Sequence, residues 1–162
     1  MDPDTITAEL ADLARGLITG NHYLTLGTAD VSGTPWVSPV FFTPDRFTDF
    51  YWVSSPQTRH SRNLAARPQV SMVIYDSHSP VGGAEAVYMS ATAVQVPDEE
   101  LERAADVYNS RLPDAKRFAG EELLPPALFR LYRATVGEHS VLIRGGDPRF
   151  GRGADSRMTV AL

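Results

Sequence analysis

The chain has 162 residues, 43% of them hydrophobic, which is enough for one domain, residues 1–162, with a buried core. Its 20 acidic and 15 basic residues give a net charge of -5, which argues against binding to nucleic acid or to an anionic membrane through the whole surface. The absence of cysteine excludes disulfides, thiolate metal sites and cysteine nucleophiles, and it is typical of a reducing compartment.

The N-terminus shows no targeting pattern. Met1-Asp2-Pro3-Asp4 is acidic and leads into an amphipathic segment, unlike the basic and then apolar start of a secretory signal. No uncharged apolar run approaches the roughly 20 residues that a membrane span needs. These features predict a soluble cytoplasmic protein that does not enter a membrane.

The first predicted element is an amphipathic helix that stops at Gly20-Asn21. Its apolar stripe consists of Ile6, Leu10, Leu13 and Leu17. Strand-like alternation follows over residues 23–29, and a turn at residues 30–33 leads to a second β run over residues 34–42. The two runs predict a β-hairpin.

An aromatic and β-branched run over residues 50–53 then breaks into Ser-Ser-Pro, and a short helix follows that ends at Arg67-Pro68, because a residue before proline disfavours helix. Free backbone N–H groups at the start of this helix, nearby hydroxyls and the cations of Arg59 and Arg62 would point toward one small volume. This combination predicts a phosphate site, to which His60 could add a donor or a charge. A capped surface helix with solvated arginines is the alternative.

The rest of the chain adds mostly strands. A helix with an acidic first turn begins at Pro97 and lasts until Pro113. The further strand-like runs are residues 70–75, 84–96, 128–134, 140–144 and 158–162. Five to seven strands with inserted helices predict a mainly β fold, an antiparallel barrel that is closed or nearly closed and decorated by α-helices.

Four blocks of the sequence, in order, resemble a known family. They are Tyr23 to Asp30, Ser32 to Phe42, Ser54 to Leu64 and Arg67 to Val73. The set is similar to the flavin-binding split β-barrels related to pyridoxamine 5′-phosphate oxidase, and it covers more than half of the chain. The resemblance implies an antiparallel split β-barrel of the FMN-binding type, and a homodimer with the cofactor sites at its interface.

The resemblance also implies which residues hold FMN. Arg59 corresponds to the arginine that pairs with the phosphate, and His60 stands where the family often has a lysine. Val53 and Ser54 fall where backbone and hydroxyl face the phosphate and ribityl chain. The strand whose backbone borders the isoalloxazine ring corresponds to Ser38, Pro39 and Val40.

The C-terminal part departs from the oxidase itself. No tryptophan follows Trp52, and residues 156–160 stand where the oxidases hold their vitamin substrate. The resemblance therefore implies an FMN-dependent oxidoreductase acting on a small organic substrate other than pyridoxamine phosphate, with no catalytic side chain assigned because the flavin carries the chemistry. A deazaflavin-dependent reductase on the same fold, or a non-catalytic flavin- or haem-binding protein, are the alternatives.

Other motifs indicate less. The four histidines lie far apart in the sequence, so no metal site is expected. The glycine- and arginine-rich residues 145–153 match neither phosphate-binding glycine motif and predict a mobile loop. A further hypothesis is that Arg149 or Arg152 closes over the flavin of the partner subunit. Four aromatic residues suit either a dimer interface or an ordinary core; they are Phe41, Phe42, Tyr51 and Trp52.

Overall fold

The computed structural model describes residues 3–162, with side chains from Thr5 onward. Met1 and Asp2, which belong to the acidic N-terminal segment, lie outside the described residues. Three α-helices are present in the described part: α1 (Pro3–Gly20), α2 (Arg59–Ala66) and α3 (Leu101–Asn109). None of the helices in this part is of a length and apolarity that would let it cross a membrane.

Within the described residues, eight strands form one antiparallel sheet, against the five to seven that were predicted. They are β1 (Tyr23–Ala29), β2 (Pro35–Phe41), β3 (Thr43–Asp45), β4 (Asp49–Ser54), β5 (Gln69–Tyr75), β6 (Ala86–Gln95), β7 (Arg130–Ile143) and β8 (Ser156–Val160). Their order is β2-β1-β5-β6-β7-β4-β3, and β8 pairs with β7. The sheet curls into a half-barrel, which confirms the predicted mainly β, split-barrel fold with helices around it.

The core lies inside this curl. Alternation along β1 turns Leu24 and Leu26 inward, and Trp52 of β4 joins them, all of them buried. Helix α1 covers β5, β6 and β8 with its apolar stripe, as its helical spacing predicted. A second, smaller core forms where Tyr51, on the opposite face of β4, packs against α3.

Three of the four aromatic residues that were considered for a dimer interface belong to the core. Phe42, Tyr51 and Trp52 are fully buried within the single chain, and Phe41 is half-buried against the second core. A residue that its own chain covers completely cannot contribute contact area to a partner. Phe42, Tyr51 and Trp52 therefore stabilise the fold and cannot belong to a dimer surface, whereas part of Phe41 stays accessible.

Residues 130–143 form one continuous strand, whereas the sequence predicted two separate strands here. The predicted break falls around Gly137. In the structure Val136 pairs with Ala91 and Glu138 with Ser90, so that Gly137 is the extra residue of a β-bulge. A bulge accommodates the extra glycine and bends the strand without ending it. This long strand can therefore pair with β6, β4 and β8 along different parts of its length.

Candidate cofactor-binding site

The predicted phosphate turn joins β4 to α2. Thr58 is the N-cap of α2, and its hydroxyl accepts a hydrogen bond from the backbone N–H of Ser61 at 3.4 Å. The helix ends at Ala66, where the backbone N–H of Arg67 bonds to Asn63. The backbone N–H groups of Arg59 and His60 find no partner among the described residues, as the first turn of a helix leaves them free. The start of α2 is thus an electropositive corner of the surface.

His60 connects three elements. Its Nε2 lies 2.8 Å from the hydroxyl oxygen of Ser54 at the end of β4, and 3.1 Å from that of Thr58. Its Nδ1 lies 3.2 Å from the hydroxyl oxygen of Ser38 in β2. The side chain is buried, with 8% of its surface exposed. The structure therefore brings Ser38 to Ser54 and His60, although Ser38 lies 22 positions before His60 in the sequence.

The buried position of His60 determines its charge. Burial disfavours the imidazolium and lowers the pKa of His60 below its ordinary value of 6.5. At neutral pH the ring is therefore uncharged, with one nitrogen donating and the other accepting. The sequence left open whether His60 adds a donor or a charge, and its surroundings favour the hydrogen-bonding role.

Arg59 lies on the exposed side of the same corner. Its guanidinium is 4.4 Å from the ring centroid of Trp36, and it forms no ion pair with any described residue. The indole N–H of Trp36 donates to the hydroxyl of Ser38 at 3.0 Å. Arg62, the second predicted cation, donates one nitrogen to the carbonyl of Gln57 in the preceding turn. Of the two arginines, Arg59 is therefore the one whose guanidinium is more available to bind an anion.

Strand β2, which carries the predicted ring-side residues, is an edge of the sheet. The register pairs Ser38 with Leu26 and Val40 with Leu24, and the N–H of Phe42 bonds to the carbonyl of His22. By the alternation of an antiparallel ladder, Ser38 and Val40 bond toward β1, so the carbonyl of Pro39 points to the open edge. Val40 itself is buried in the core, whereas Pro39 is exposed. Ser38 is the residue of this segment whose side chain reaches His60.

Val53 faces away from this cluster. Its side chain packs against the second core, and its backbone N–H donates a hydrogen bond to the hydroxyl oxygen of Tyr108. Burial raises the pKa of that hydroxyl to about 12, so it stays protonated throughout the physiological range. What Val53 can contribute to a cofactor is therefore restricted to its backbone.

Two residues of the cluster were not predicted to be part of it. Thr58 could have been identified as an N-cap, because a threonine directly before a helical stretch is a common first signal. Trp36 has 41% of its surface exposed, which is high for a tryptophan. Its position two residues before Ser38 places both side chains on one face of β2, which was the available signal.

The donor set of this corner fits a phosphate. It combines the hydroxyl of Ser54, the free N–H groups at the start of α2 and the guanidinium of Arg59, while the hydroxyl of Thr58 donates within the turn. No carboxylate forms an ion pair with these groups among the described residues. Backbone and hydroxyl donors with one arginine are the usual partners of a phosphate group, and the adjacent sheet edge offers a place for the remainder of a larger cofactor.

The curled antiparallel sheet with this corner at its open edge defines the fold of the chain as a split β-barrel. A family model described as pyridoxamine 5′-phosphate oxidase matches residues 10–139. The chain belongs to this family, as the sequence blocks predicted. A comparison with curated proteins gave no match.

Solved structures with the same fold carry different names. A heme binding protein from Mycobacterium smegmatis is 22% identical with a TM-score of 0.69, and the match covers 93% of this chain and 57% of that protein. A FAD-binding protein from Mesorhizobium loti is 22% identical with a TM-score of 0.59, covering 81% and 92%. An F420 reductase is 20% identical with a TM-score of 0.57, covering 78% and 94%. At these identities the likeness establishes the fold alone.

Proposed function

We propose that this protein is an FMN-dependent oxidoreductase that acts on a small organic substrate. The observation that carries the proposal is the corner at the start of α2, where Arg59 and the hydroxyls of Ser54 and Thr58 surround free backbone N–H groups. It lies beside the open edge of β2, and membership of the oxidase family makes a flavin the first candidate for such a corner.

In this proposal Arg59 pairs with the phosphate, and Ser54 donates its hydroxyl to the phosphate and ribityl end together with the backbone of Val53. The backbone of Ser38, Pro39 and Val40 supports the ring. A bound flavin supplies hydride chemistry at its ring, which is why a dedicated acid or nucleophile is not required from the protein. The protein's part is to orient the cofactor and substrate and to exclude water.

The active unit is proposed to be a homodimer with cofactor sites at its interface. The support is that β2 exposes apolar side chains beside the corner: Trp36 is 41% exposed and Val37 65% exposed. An edge strand with exposed apolar residues is suited to being covered by another chain.

We further propose that residues 1–162 act as one cofactor-binding domain, and that the protein works in the cytoplasm, in keeping with its lack of cysteine.

Two other cofactors are the competing candidates. A deazaflavin is supported by the likeness to an F420 reductase, and haem by the likeness to a heme binding protein. The site favours a flavin over haem, because both ring nitrogens of His60 already have hydroxyl partners and neither is free to ligate iron. Pyridoxamine phosphate is not the proposed substrate, since β8 lacks the substrate-holding tryptophan of the oxidases.

The experiment that tests the proposal is an absorption spectrum of the purified protein before and after incubation with excess FMN and desalting. Parallel samples receive a deazaflavin or haem. Retained bands of oxidised flavin, followed by bleaching with a nicotinamide reductant, would support the proposal. Retention of haem or deazaflavin in place of FMN would replace it by the corresponding alternative, and light scattering of the loaded protein would test the dimer.

A further inference from the structure

We propose that His60 acts as a positioning residue that ties the flavin-ring strand to the phosphate turn, and that it is not a second cation for the phosphate. This inference rests on the proposed function. It concerns the residue that stands where a lysine is frequent in the family.

The geometry of the ring is the first argument. Nδ1 meets Ser38 of β2 and Nε2 meets Ser54 of β4, so one side chain bridges the two strands that are proposed to hold opposite ends of the flavin. A rigid ring with a polar atom on each side can hold two partners at a fixed separation. A lysine has a single nitrogen on a flexible stem and cannot make this bridge.

The hydrogen-bond partners are the second argument. In either neutral tautomer, each ring nitrogen of His60 has a hydroxyl that can complement it, because hydroxyls both donate and accept. Thr58 adds a further hydroxyl at Nε2. The bridge is therefore complete without a proton that would charge the ring, and a phosphate is not needed to satisfy it.

The charges around His60 are the third argument. The groups that face it from β2 and β4 are the hydroxyls of Ser38 and Ser54, and the charged neighbours on its own helix are the cations Arg59 and Arg62. Asp30, in the turn before β2, interacts electrostatically with Arg59. Nearby cations and burial, with 8% of its surface exposed, both disfavour the protonated form of His60.

The two roles of His60 predict different effects on the affinities for FMN and riboflavin. Comparing the two ligands distinguishes the roles because riboflavin lacks the phosphate. If His60 positions both ends of the site, His60→Ala weakens both ligands by a similar factor, about tenfold for the loss of two modest hydrogen bonds. Arg59→Ala is the matched control and should weaken FMN while leaving riboflavin within about twofold. His60→Gln and His60→Asn, whose amides can replace one bond each, should recover part of the loss.

Dissociation constants from flavin fluorescence give this comparison, with circular dichroism to show that each variant is folded. The inference would be overturned if His60→Ala lost affinity for FMN but kept its affinity for riboflavin. His60→Lys would add to that contradiction if it bound FMN more tightly and riboflavin unchanged. Unchanged binding of both ligands in His60→Ala would also overturn it. Wild-type protein that binds neither ligand would overturn the proposed function, and the inference with it.

A second measurement needs no variant. Above pH 7 the FMN phosphate, whose second pKa is about 6, stays a dianion, so any pH dependence there reports on the protein. A neutral His60 predicts constant FMN affinity from pH 7 to 8.5. A decline of about tenfold or more over this range would show that FMN binds the protonated ring, and would contradict the inference.

Discussion

The guanidinium of Arg59 lies 4.4 Å from the ring centroid of Trp36, on the face of an indole whose N–H is bonded to Ser38. One exposed cation is thereby held beside both the phosphate corner and the ring-side strand. The contact is a cation–π interaction at the surface, which is weak enough to be exchanged for a phosphate when one binds. Arg59 is therefore the residue whose loss should affect phosphate binding most directly.

We expect Arg59→Ala to weaken FMN binding by roughly 10- to 150-fold. The reason is the loss of one charge-assisted contact of about 1.5–3 kcal/mol. Titration of flavin fluorescence measures this. Arg67→Ala is the matched control, because Arg67 is an exposed arginine at the other end of α2 that bonds to Val31. Equal affinities of the Arg59 variant and wild type would place the phosphate elsewhere.

We expect the protein to lose stability as the pH falls below about 6.5. Burial lowers the pKa values of His60 and His139 in the folded state, whereas in the unfolded chain they return to 6.5. The unfolded chain then binds more protons, so the free energy of unfolding is highest above 6.5 and declines as acid is added, by at most about 1.4 kcal/mol per pH unit for each histidine. Urea unfolding at pH 8, 7, 6 and 5.5 measures this.

The control for that pH series is His60→Gln, which removes one of the two titrating groups. Its stability should depend less steeply on pH between 6.5 and 5.5 than that of wild type. The carboxylates with lowered pKa values, such as Asp30 and Asp76, titrate from 3.8 downward and stay outside this window. Parallel curves for variant and wild type would show that His60 does not contribute.

We expect Arg111→Ala to destabilise the fold by about 2–3 kcal/mol. Arg111 donates to the backbone carbonyls of Phe42 at 3.0 Å and Asn21 at 2.8 Å, and its guanidinium lies 5.0 Å from the Phe42 ring centroid. Its removal leaves these carbonyls without a charged donor and costs the packing on the ring. Thermal and urea unfolding measure the loss.

The control for Arg111 is Arg117→Ala. Arg117 pairs at the surface with Asp114, and such pairs contribute about 0–1 kcal/mol. Arg111→Lys tests the reason for the effect, because a lysine keeps the charge but cannot reach several carbonyls with one planar group. Full stability in the lysine variant would mean that charge alone accounts for the contribution.

We expect Asn63→Ala to destabilise the protein by about 1–2 kcal/mol and to loosen α2. The amide of Asn63 donates to the hydroxyl of Thr28 in β1 at 3.0 Å, and both residues are buried. Loss of this bond removes a polar anchor between the helix and the sheet. Amide hydrogen exchange in α2 should accelerate, whereas Gln57→Ala, an exposed change in the preceding turn, should leave it unchanged.

Local physical rules made much of the fold predictable. The apolar spacing of α1, the alternation in β1 and the threonine and proline that bound α2 each act within a few residues, so the sequence was sufficient to predict these elements. The ordered blocks then indicated the family. The free N–H groups at the start of α2 and the arginine beside them follow from the same local reasoning.

Only the tertiary structure decided how the distant parts meet. The bond between Ser38 and His60 spans 22 positions and depends on how β2 and α2 are placed by the curl of the sheet, which no periodicity encodes. The bulge at Gly137 depends likewise on the partner strand, since a glycine alone is equally compatible with a turn. Periodicity specifies which face of an element is buried, and the register of non-adjacent strands specifies which side chains touch. For that reason the sequence identified Arg59, Ser54 and Ser38 as candidates, whereas the bridge through His60 and the contact of Arg59 with Trp36 became visible only in the fold.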